Sequence, residues 1–305
     1  MSWRRRKFLL LGGLTGLGVT ALGKALISGA LQGGVASSPT HPLPALSTPV
    51  DQLLLRFIAI ADSGAGDRNQ FAVGSAIANF HQKNPFTLAV MAGDNIYDRG
   101  EISRVGVTFE QPYKALLQRG VKFRAALGNH DIRTENGDPQ VRYPGFNMAG
   151  RYYTYQIDSV QFFVLDTNGN ADWKNQLAWL EQELRQSQAL WKIVYGHHPI
   201  YASGHYGTNA EFVKIFTPLF KQYGVNLYIN GHEHHYERTA AIDGTTYLIT
   251  GNAGAHLRSV GRSRWTELAV SQFGFSALEV SRDRILIQAI DRKGQVFDRG
   301  FVIRD

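Results

Sequence analysis

The stretch from Asn230 to Arg238 carries the residues best suited to metal chemistry. Two histidines in it, His232 and His234, lie one residue apart, just after an apolar segment that is predicted to be a strand. Side chains alternate between the two faces of a regular strand, so two imidazoles that converge need an irregular backbone, which Gly231 permits. The spacing predicts metal ligation at a loop, although His-x-His alone fits a surface loop that binds no metal equally well.

Four other apolar segments end in residues that can ligate a metal. The carboxyl ends of strands in an open α/β sheet form one crevice, so these loops and the His-x-His loop are expected to converge. Each loop alone has an ordinary explanation as a turn or a helix cap, but five at successive strand ends favour a shared ligand site. The four segments end in Asp62-Ser63-Gly64, Gly93-Asp94-Asn95-Ile96-Tyr97, Gly128-Asn129-His130-Asp131 and Gly196-His197-His198-Pro199.

Composition limits which metals such a site could hold. The 305 residues include no cysteine, which excludes a disulfide framework and thiolate ligands. Ligands must then be carboxylate, imidazole, amide, phenol or main-chain oxygen, which favours iron, manganese, zinc or magnesium. The net charge of +7 is concentrated at one end, because residues 1–50 hold five of the 32 basic residues and no acidic one, leaving 27 basic against 25 acidic residues. A nucleic-acid partner is therefore not expected.

The first 52 residues predict targeting rather than fold. Arg5 and Arg6 precede a glycine-rich, moderately apolar stretch, and residues 1–36 resemble a twin-arginine export signal that is cleaved after Ala36. The alternative is an uncleaved N-terminal anchor, since residues 9–31 are long enough to span a bilayer. Residues 37–52, rich in Pro, Ser and Thr, read as a linker. Together these features predict export to the periplasm or beyond, with membrane attachment possible only through residues 9–31.

The remaining chain, residues 53–305, is predicted to be one α/β domain. Apolar segments alternate with amphipathic ones, and the last three strands indicate an antiparallel tail. The predicted strands span residues 53–61, 87–92, 122–126, 152–157, 161–165, 191–195, 225–229, 245–250, 275–280, 284–290 and 296–303, and the predicted helices span residues 69–82, 109–119, 175–186 and 211–222.

The five loops together resemble the ligand blocks of the calcineurin-like metallophosphoesterases, whose fold is a two-sheet sandwich flanked by helices. Tyr97, three residues after Asp94, is typical of the purple acid phosphatase branch. Segments 162–168, 176–184 and 223–231 are similar to the small, single-domain, tartrate-resistant type, whereas His235 to Arg238 is closer to the plant type. The sequence departs from the tartrate-resistant type at His198, where that type has tyrosine, so substrate preference is expected to differ.

The resemblance implies two metal sites that share one ligand. It places Asp62, Asp94, Tyr97 and His234 around one metal ion, and a Tyr97 phenolate needs a strongly Lewis-acidic ion, which favours ferric iron. The second site would hold a divalent ion, iron, zinc or manganese, and the resemblance assigns it Asp94, Asn129, His197 and His232. Two ions about 3.5 to 4 Å apart would clamp a phosphoryl group and supply a hydroxide for in-line attack on phosphorus.

The same resemblance implies roles for three further residues. His130 would bind phosphate or protonate the leaving group, Asp131 would orient His130, and His205 would be a second pocket histidine. The expected activity is that of an exported acid phosphatase acting on small phosphomonoesters. Open alternatives are a phosphodiesterase or nucleotidase of the same superfamily, a non-catalytic metal- or phosphate-binding protein, and an iron redox protein.

Overall fold

The computed structural model describes residues 52–304, which lie in one compact unit. The predicted signal or anchor, and the linker up to residue 51, lie outside the described residues. Within residues 52–304, no helix is both long enough and apolar enough to cross a membrane.

Thirteen strands and five α-helices make up the described chain. The strands are β1 (Leu55–Ile60), β2 (Leu88–Ala92), β3 (Lys122–Ala126), β4 (Tyr153–Ile157), β5 (Val160–Val164), β6 (Trp191–Tyr195), β7 (Leu227–Asn230), β8 (Tyr236–Thr239), β9 (Thr246–Thr250), β10 (Thr266–Val270), β11 (Gly274–Val280), β12 (Arg284–Asp291) and β13 (Val296–Ile303). The helices are α1 (Arg68–Lys83), α2 (Lys114–Leu117), α3 (Asp138–Arg142), α4 (Trp173–Gln186) and α5 (Ala210–Tyr223).

The strands form two mixed sheets. One has the order β13-β12-β11-β1-β2-β3, in which β1, β2 and β3 are parallel and the C-terminal strands are antiparallel. The other has the order β10-β8-β9-β7-β6-β5-β4, in which β5, β6, β7 and β9 are parallel. The parallel strands lie in the middle of the second sheet and on one side of the first.

Successive side chains of β1 point to opposite faces of the first sheet and so enter different apolar cores. Phe57 and Ala59 of β1 belong to an apolar core that contains residues of both sheets, so this core lies between them. Ile58 and Ile60 point the other way, into a second core beneath α1 and α2. A third core lies between the second sheet and helices α4 and α5. Because both faces of β1 are buried from Phe57 onwards, residues 57–60 are a continuous apolar run, as expected for a strand covered on both sides. The predicted α/β, two-sheet, single-domain architecture is confirmed.

The predicted helix over residues 109–119 is wrong in its extent. A five-residue π-helical turn, Gly106–Glu110, comes first, and the α-helix covers only Lys114–Leu117. Pro112 lies between them, and a proline lacks the N–H group and clashes with the preceding turn, so it interrupts the helix that the apolar spacing favours. Two strands and one α-helix were not predicted at all: β8, β10 and α3.

Candidate metal centre

The loops after β1, β2, β3, β6 and β7 meet at one edge of the two sheets, and they bring together all seven residues predicted as ligands. Asp62 follows β1, and Asp94 and Tyr97 follow β2. The others come from the loops after β3, β6 and β7, in the order Asn129, His197, His232 and His234. Parallel strands whose carboxyl ends share an edge impose this convergence.

The first donor set is rich in oxygen. The Tyr97 Oη atom lies 3.0 Å from Asp62 Oδ1 and 2.9 Å from Asp94 Oδ2. His234 completes the set, with its Nε2 atom 3.3 Å from both Tyr97 Oη and Asp62 Oδ1. Two carboxylates, a phenol and an imidazole within this distance of one another suit a hard, strongly Lewis-acidic cation.

The second donor set is rich in nitrogen. The His197 Nε2 atom lies 3.1 Å from Asn129 Oδ1 and 3.4 Å from Asp94 Oδ2. Ring nitrogens of His197, His198 and His232 lie within 4.8 Å of one another. Asp94 Oδ2 is therefore close to donors of both sets, which is the position a bridging carboxylate needs. Two imidazoles, an amide and a carboxylate suit a borderline divalent ion.

The backbone is strained where the candidate ligands stand. Asp62, Asp94 and His232 have φ angles of 53°, 52° and 69°, in the left-handed region that non-glycine residues rarely adopt. Such positions cost on the order of 1 kcal/mol each and cluster at functional sites. The close approach of the Asp94 side chain also explains why residue 128 is a glycine, because a Cβ atom at Gly128 would lie 2.2 Å from Asp94 Oδ1.

Main-chain carbonyls orient two of the candidate imidazoles. His197 Nδ1 lies 3.0 Å from the carbonyl oxygen of Ala92, and His234 Nδ1 lies 2.8 Å from that of His256. Donation of an Nδ1–H to a carbonyl leaves the Nε2 lone pair free, and Nε2 is the atom that each ring turns towards the donor sets.

The pKa shifts of the buried groups indicate that the cluster has more negative than positive charge. Burial would raise the pKa of Asp94, but the charge and hydrogen bond of His197 hold it well below its usual range. Burial would lower the pKa of His197, but the charges of Asp94 and Asp62 outweigh it and raise that pKa to about 9. Burial and the same two carboxylates raise the pKa of Tyr97 well above its ordinary value. A cation between these groups would relieve the repulsion and favour the phenolate, so the donor chemistry fits bound metal.

His130 lies beside the first donor set. Its main-chain N–H donates to Asp94 Oδ1 at 2.9 Å, and its ring packs edge-on against Tyr97 with 4.5 Å between centroids. The ring Nδ1 atom lies 2.7 Å from the main-chain oxygen of Asp98, and Nε2 lies 3.2 Å from an Arg133 guanidinium nitrogen.

The prediction that Asp131 orients His130 is wrong. The Asp131 carboxylate is fully buried and accepts hydrogen bonds from the main-chain N–H groups of Asn95, Ile96 and Gly128 and from the amide of Gln140. The carbonyl of Asp98, not this carboxylate, holds the His130 ring. Asp131 instead ties the loop after β2 to the loop after β3, which are the loops that carry Asp94 and Asn129.

His205 lies on an exposed loop near the second donor set. Its main-chain N–H donates to Glu233 Oε2 at 2.9 Å, and its ring packs against Tyr206 with 4.8 Å between centroids. Among residues 52–304 its ring makes no hydrogen bond. The structure thus places His205 close to the site without joining it to a candidate ligand, and its role stays a prediction.

Sequence reasoning missed several residues that shape the second donor set. The Thr167 hydroxyl accepts from the main-chain N–H groups of His197 and His198, which leaves its proton for His198 Nδ1, 2.9 Å away. The buried Glu233 lies between the two histidines of the His-x-His pair, and its charge gave no signal of burial. Tyr206 stacks on His232 with 4.2 Å between centroids, a contact between segments 26 residues apart that no local pattern reveals.

Residues 55–236 match the family model of the calcineurin-like phosphoesterases. The chain is 30% identical over 234 residues to purple acid phosphatase 17 of Arabidopsis thaliana, covering 65% of this chain and 68% of that protein. It is 25% identical over 288 residues to tartrate-resistant acid phosphatase type 5 of Mus musculus, covering 79% of this chain and 88% of that protein. A solved purple acid phosphatase, PPD1 from yellow lupin seeds, superimposes with a TM-score of 0.69 at 18% identity, covering 82% of this chain and 54% of that one, a likeness of fold alone.

Proposed function

The chain belongs to the calcineurin-like phosphoesterase family, and from that premise we propose that it is an acid phosphatase that hydrolyses phosphomonoesters at a ferric–divalent metal pair. Its curated relatives named above are acid phosphatases at modest identity, which supports the reaction class without specifying the substrate. Small phosphate esters are the substrates that we propose.

The position of the Tyr97 phenol carries this proposal. It lies within hydrogen-bond distance of two carboxylates, Asp62 and Asp94, in a buried cluster whose formal charge is negative. A phenol has only one proton, so as a structural donor alone it cannot donate to both carboxylates at once. It serves well as a phenolate ligand to a strongly Lewis-acidic ion. The proposed ferric-site ligands are Asp62, Asp94, Tyr97 and His234, and the proposed divalent-site ligands are Asp94, Asn129, His197 and His232.

When bound, the two ions would supply Lewis acidity towards the phosphoryl oxygens and an activated water. The protein's own contribution is to hold the ligands in place. Asp94, buried and strained, fixes the spacing of the two donor sets, while Asp131 holds together the loops on which Asp94 and Asn129 stand.

His130 is the proposed proton donor to the leaving group. Because its Nδ1–H donates to the Asp98 carbonyl, Nε2 is the nitrogen left to exchange a proton with substrate. In this structure Nε2 accepts from Arg133, so it would carry a proton for the leaving group only once that guanidinium turns to an arriving phosphate dianion. His205 is proposed as a second contact on the opposite, His232 side of the centre.

The test is replacement of Tyr97 by Phe, with Tyr152→Phe as a matched control. Tyr152 packs on Trp179, away from the donor sets, so its hydroxyl has no role in the proposal. We expect the purified protein to show a broad visible phenolate-to-iron band, which Tyr97→Phe abolishes and Tyr152→Phe retains. We also expect p-nitrophenyl phosphate to be hydrolysed faster than its bis(p-nitrophenyl) diester. A colourless, iron-free protein that prefers the diester would contradict the proposal and favour a phosphodiesterase.

Export is a separate proposal that rests on Arg5 and Arg6. Replacing both with Lys is expected to stop twin-arginine transport and leave the protein in the cytoplasm, as measured by cell fractionation. Unchanged export of that variant would refute the assignment.

A further inference from the structure

His232 differs from the other candidate ligand imidazoles in how its ring is held. The rings of His197 and His234 each have one nitrogen against a main-chain carbonyl. In residues 52–304, neither ring nitrogen of His232 has a hydrogen-bond partner, since its hydrogen bonds are made by its main-chain N–H and carbonyl. Imidazoles that bind a metal are almost always oriented by a hydrogen bond from the second nitrogen, so another contact must orient this ring.

The ring of Tyr206 provides that contact. It lies nearly parallel to the His232 imidazole, with 4.2 Å between centroids and 18° between planes. Within the described part of the chain, the other two aromatic neighbours of His232 are His197 and His198, whose planes are inclined by 74° and 49°. Tyr206 is 53% exposed, which is unusual for a large aromatic side chain, and its one parallel partner is a candidate ligand.

Buried carboxylates hold the loop that presents Tyr206, and they act on its main chain. The Glu233 carboxylate accepts from the N–H groups of residues 205–207 at 2.9, 2.6 and 3.1 Å. Glu237 accepts from the main-chain N–H of Ser203 at 2.8 Å. The loop conformation therefore does not depend on the Tyr206 side chain, and truncation of that exposed ring leaves no buried cavity.

Arg258 ties the same two residues together. A guanidinium nitrogen of Arg258 donates to the main-chain carbonyl of His232 at 2.9 Å, and the guanidinium carbon lies 5.0 Å from the centre of the Tyr206 ring. The cation thus contacts the backbone of His232 and the ring that stacks on its imidazole.

We propose that Tyr206 is a positioning residue for the second metal site. Its ring fixes the plane of the His232 imidazole by stacking, whereas hydrogen bonds fix the imidazoles of His197 and His234. The inference rests on the proposed metal-dependent function, since it concerns a ligand of that centre. The affinity for the divalent ion then depends on the exposed aromatic ring of Tyr206 and not on its hydroxyl.

The experiment measures Zn²⁺ binding to the full chain after removal of metal by chelation, by competition with a chromophoric chelator. Loss of a group that orients a metal-bound imidazole weakens binding by about 10- to 100-fold, and a single stacking contact belongs at the lower end. We expect Tyr206→Ala to weaken the site that contains His232 by about tenfold, Tyr206→Phe to stay within about twofold of wild type, and Tyr206→Leu to behave like Ala. The control Tyr152→Ala, at a tyrosine that packs on Trp179, should bind Zn²⁺ as wild type does.

Two outcomes would overturn the proposal: unchanged affinity in Tyr206→Ala, or an equal loss in Tyr206→Phe, which would assign the effect to the hydroxyl. A wild-type chain that binds fewer than two ions would instead contradict the proposed function.

A second readout needs no metal, namely the ring-proton chemical shifts of histidine in selectively labelled, metal-free protein. One imidazole should lose its ring-current shift in Tyr206→Ala and keep it in Tyr206→Phe, and identical spectra of wild type and Tyr206→Ala would also refute the stacking role.

Discussion

Replacing Asp131 with Asn removes a charge from a carboxylate whose surroundings consist of hydrogen-bond donors. Oδ1 accepts from the N–H groups of Asn95 and Ile96 and from the Gln140 amide, at 2.9, 3.1 and 3.0 Å. Oδ2 accepts from both nitrogens of Asn95 at 3.1 Å and from the N–H of Gly128 at 2.8 Å. Whichever way an asparagine amide turns, its NH₂ group faces three N–H donors. The Asn95 main-chain N–H reaches both oxygens, so it keeps an acceptor and the other two donors lose theirs. A hydrogen bond to a charged group contributes about 1.5 to 3 kcal/mol, so leaving two unmade should lower the free energy of unfolding by about 3 to 6 kcal/mol.

The assay is urea unfolding of metal-free protein, followed by circular dichroism at pH 8.5. Burial and the charge of Asp94 raise the pKa of Asp131 to about 7, so at this pH the wild-type carboxylate is ionised and its buried charge cancels part of the stability that its hydrogen bonds supply. The expected loss therefore lies at the lower end of that range. Asp138→Asn is the matched control, because that carboxylate is 52% exposed and pairs with Arg151 at 3.0 Å. Loss of such a pair should cost less than about 1 kcal/mol. If Asp131→Asn unfolded with the wild-type free energy but had lost catalysis, the reasoning would be refuted and Asp131 would regain the role of orienting His130.

Three further predictions concern metal, backbone space and pH. Asp94→Ala should lose both ions, and activity with them, because one carboxylate lies against both donor sets; metal analysis showing a single retained ion would argue against bridging. Gly128→Ala should weaken metal binding by calorimetric titration, because its Cβ atom would lie 2.2 Å from Asp94 Oδ1. Burial would raise the pKa of Glu237, but hydrogen bonds from His235, Ser203 and Thr266 outweigh it and lower that pKa. Glu237 thus stabilises the fold above its unfolded pKa, near 4.5, and this contribution is lost as pH falls through the folded value. Glu237→Gln should therefore flatten the acid side of the pH–stability curve, while the exposed Glu211→Gln should not.

The candidate ligands can be recognised from the residues that directly precede and follow them in the sequence. A parallel strand buried on both faces reads as an apolar run, and the residue after it falls at the edge where all such strands end. Asp62, Asp94 and His197 each follow a strand of this kind, so their convergence required no knowledge of distant contacts. The two-sheet architecture was predictable from the family resemblance that these loops carry.

What could not be predicted depends on partners far along the chain. The Asp131 carboxylate is next to His130 in sequence, but its donors at Asn95 and Ile96 are 36 and 35 residues away. Strand β8 was missed because Glu237 and Arg238 look like surface residues. The hydroxyls of Ser203 and Thr266 satisfy Glu237, and the Asp298 carboxylate pairs with Arg238 at 2.7 Å, so both charges are accommodated within the sheet.

The measurement that tests the central claim most directly is a titration of metal-free protein with ferric and then divalent ions, with p-nitrophenyl phosphate hydrolysis followed at each step. We expect little activity after one equivalent of iron, and full activity only when one equivalent of the divalent ion has been added, at two ions per chain. Full activity at one ion per chain, or none at two, would contradict that claim.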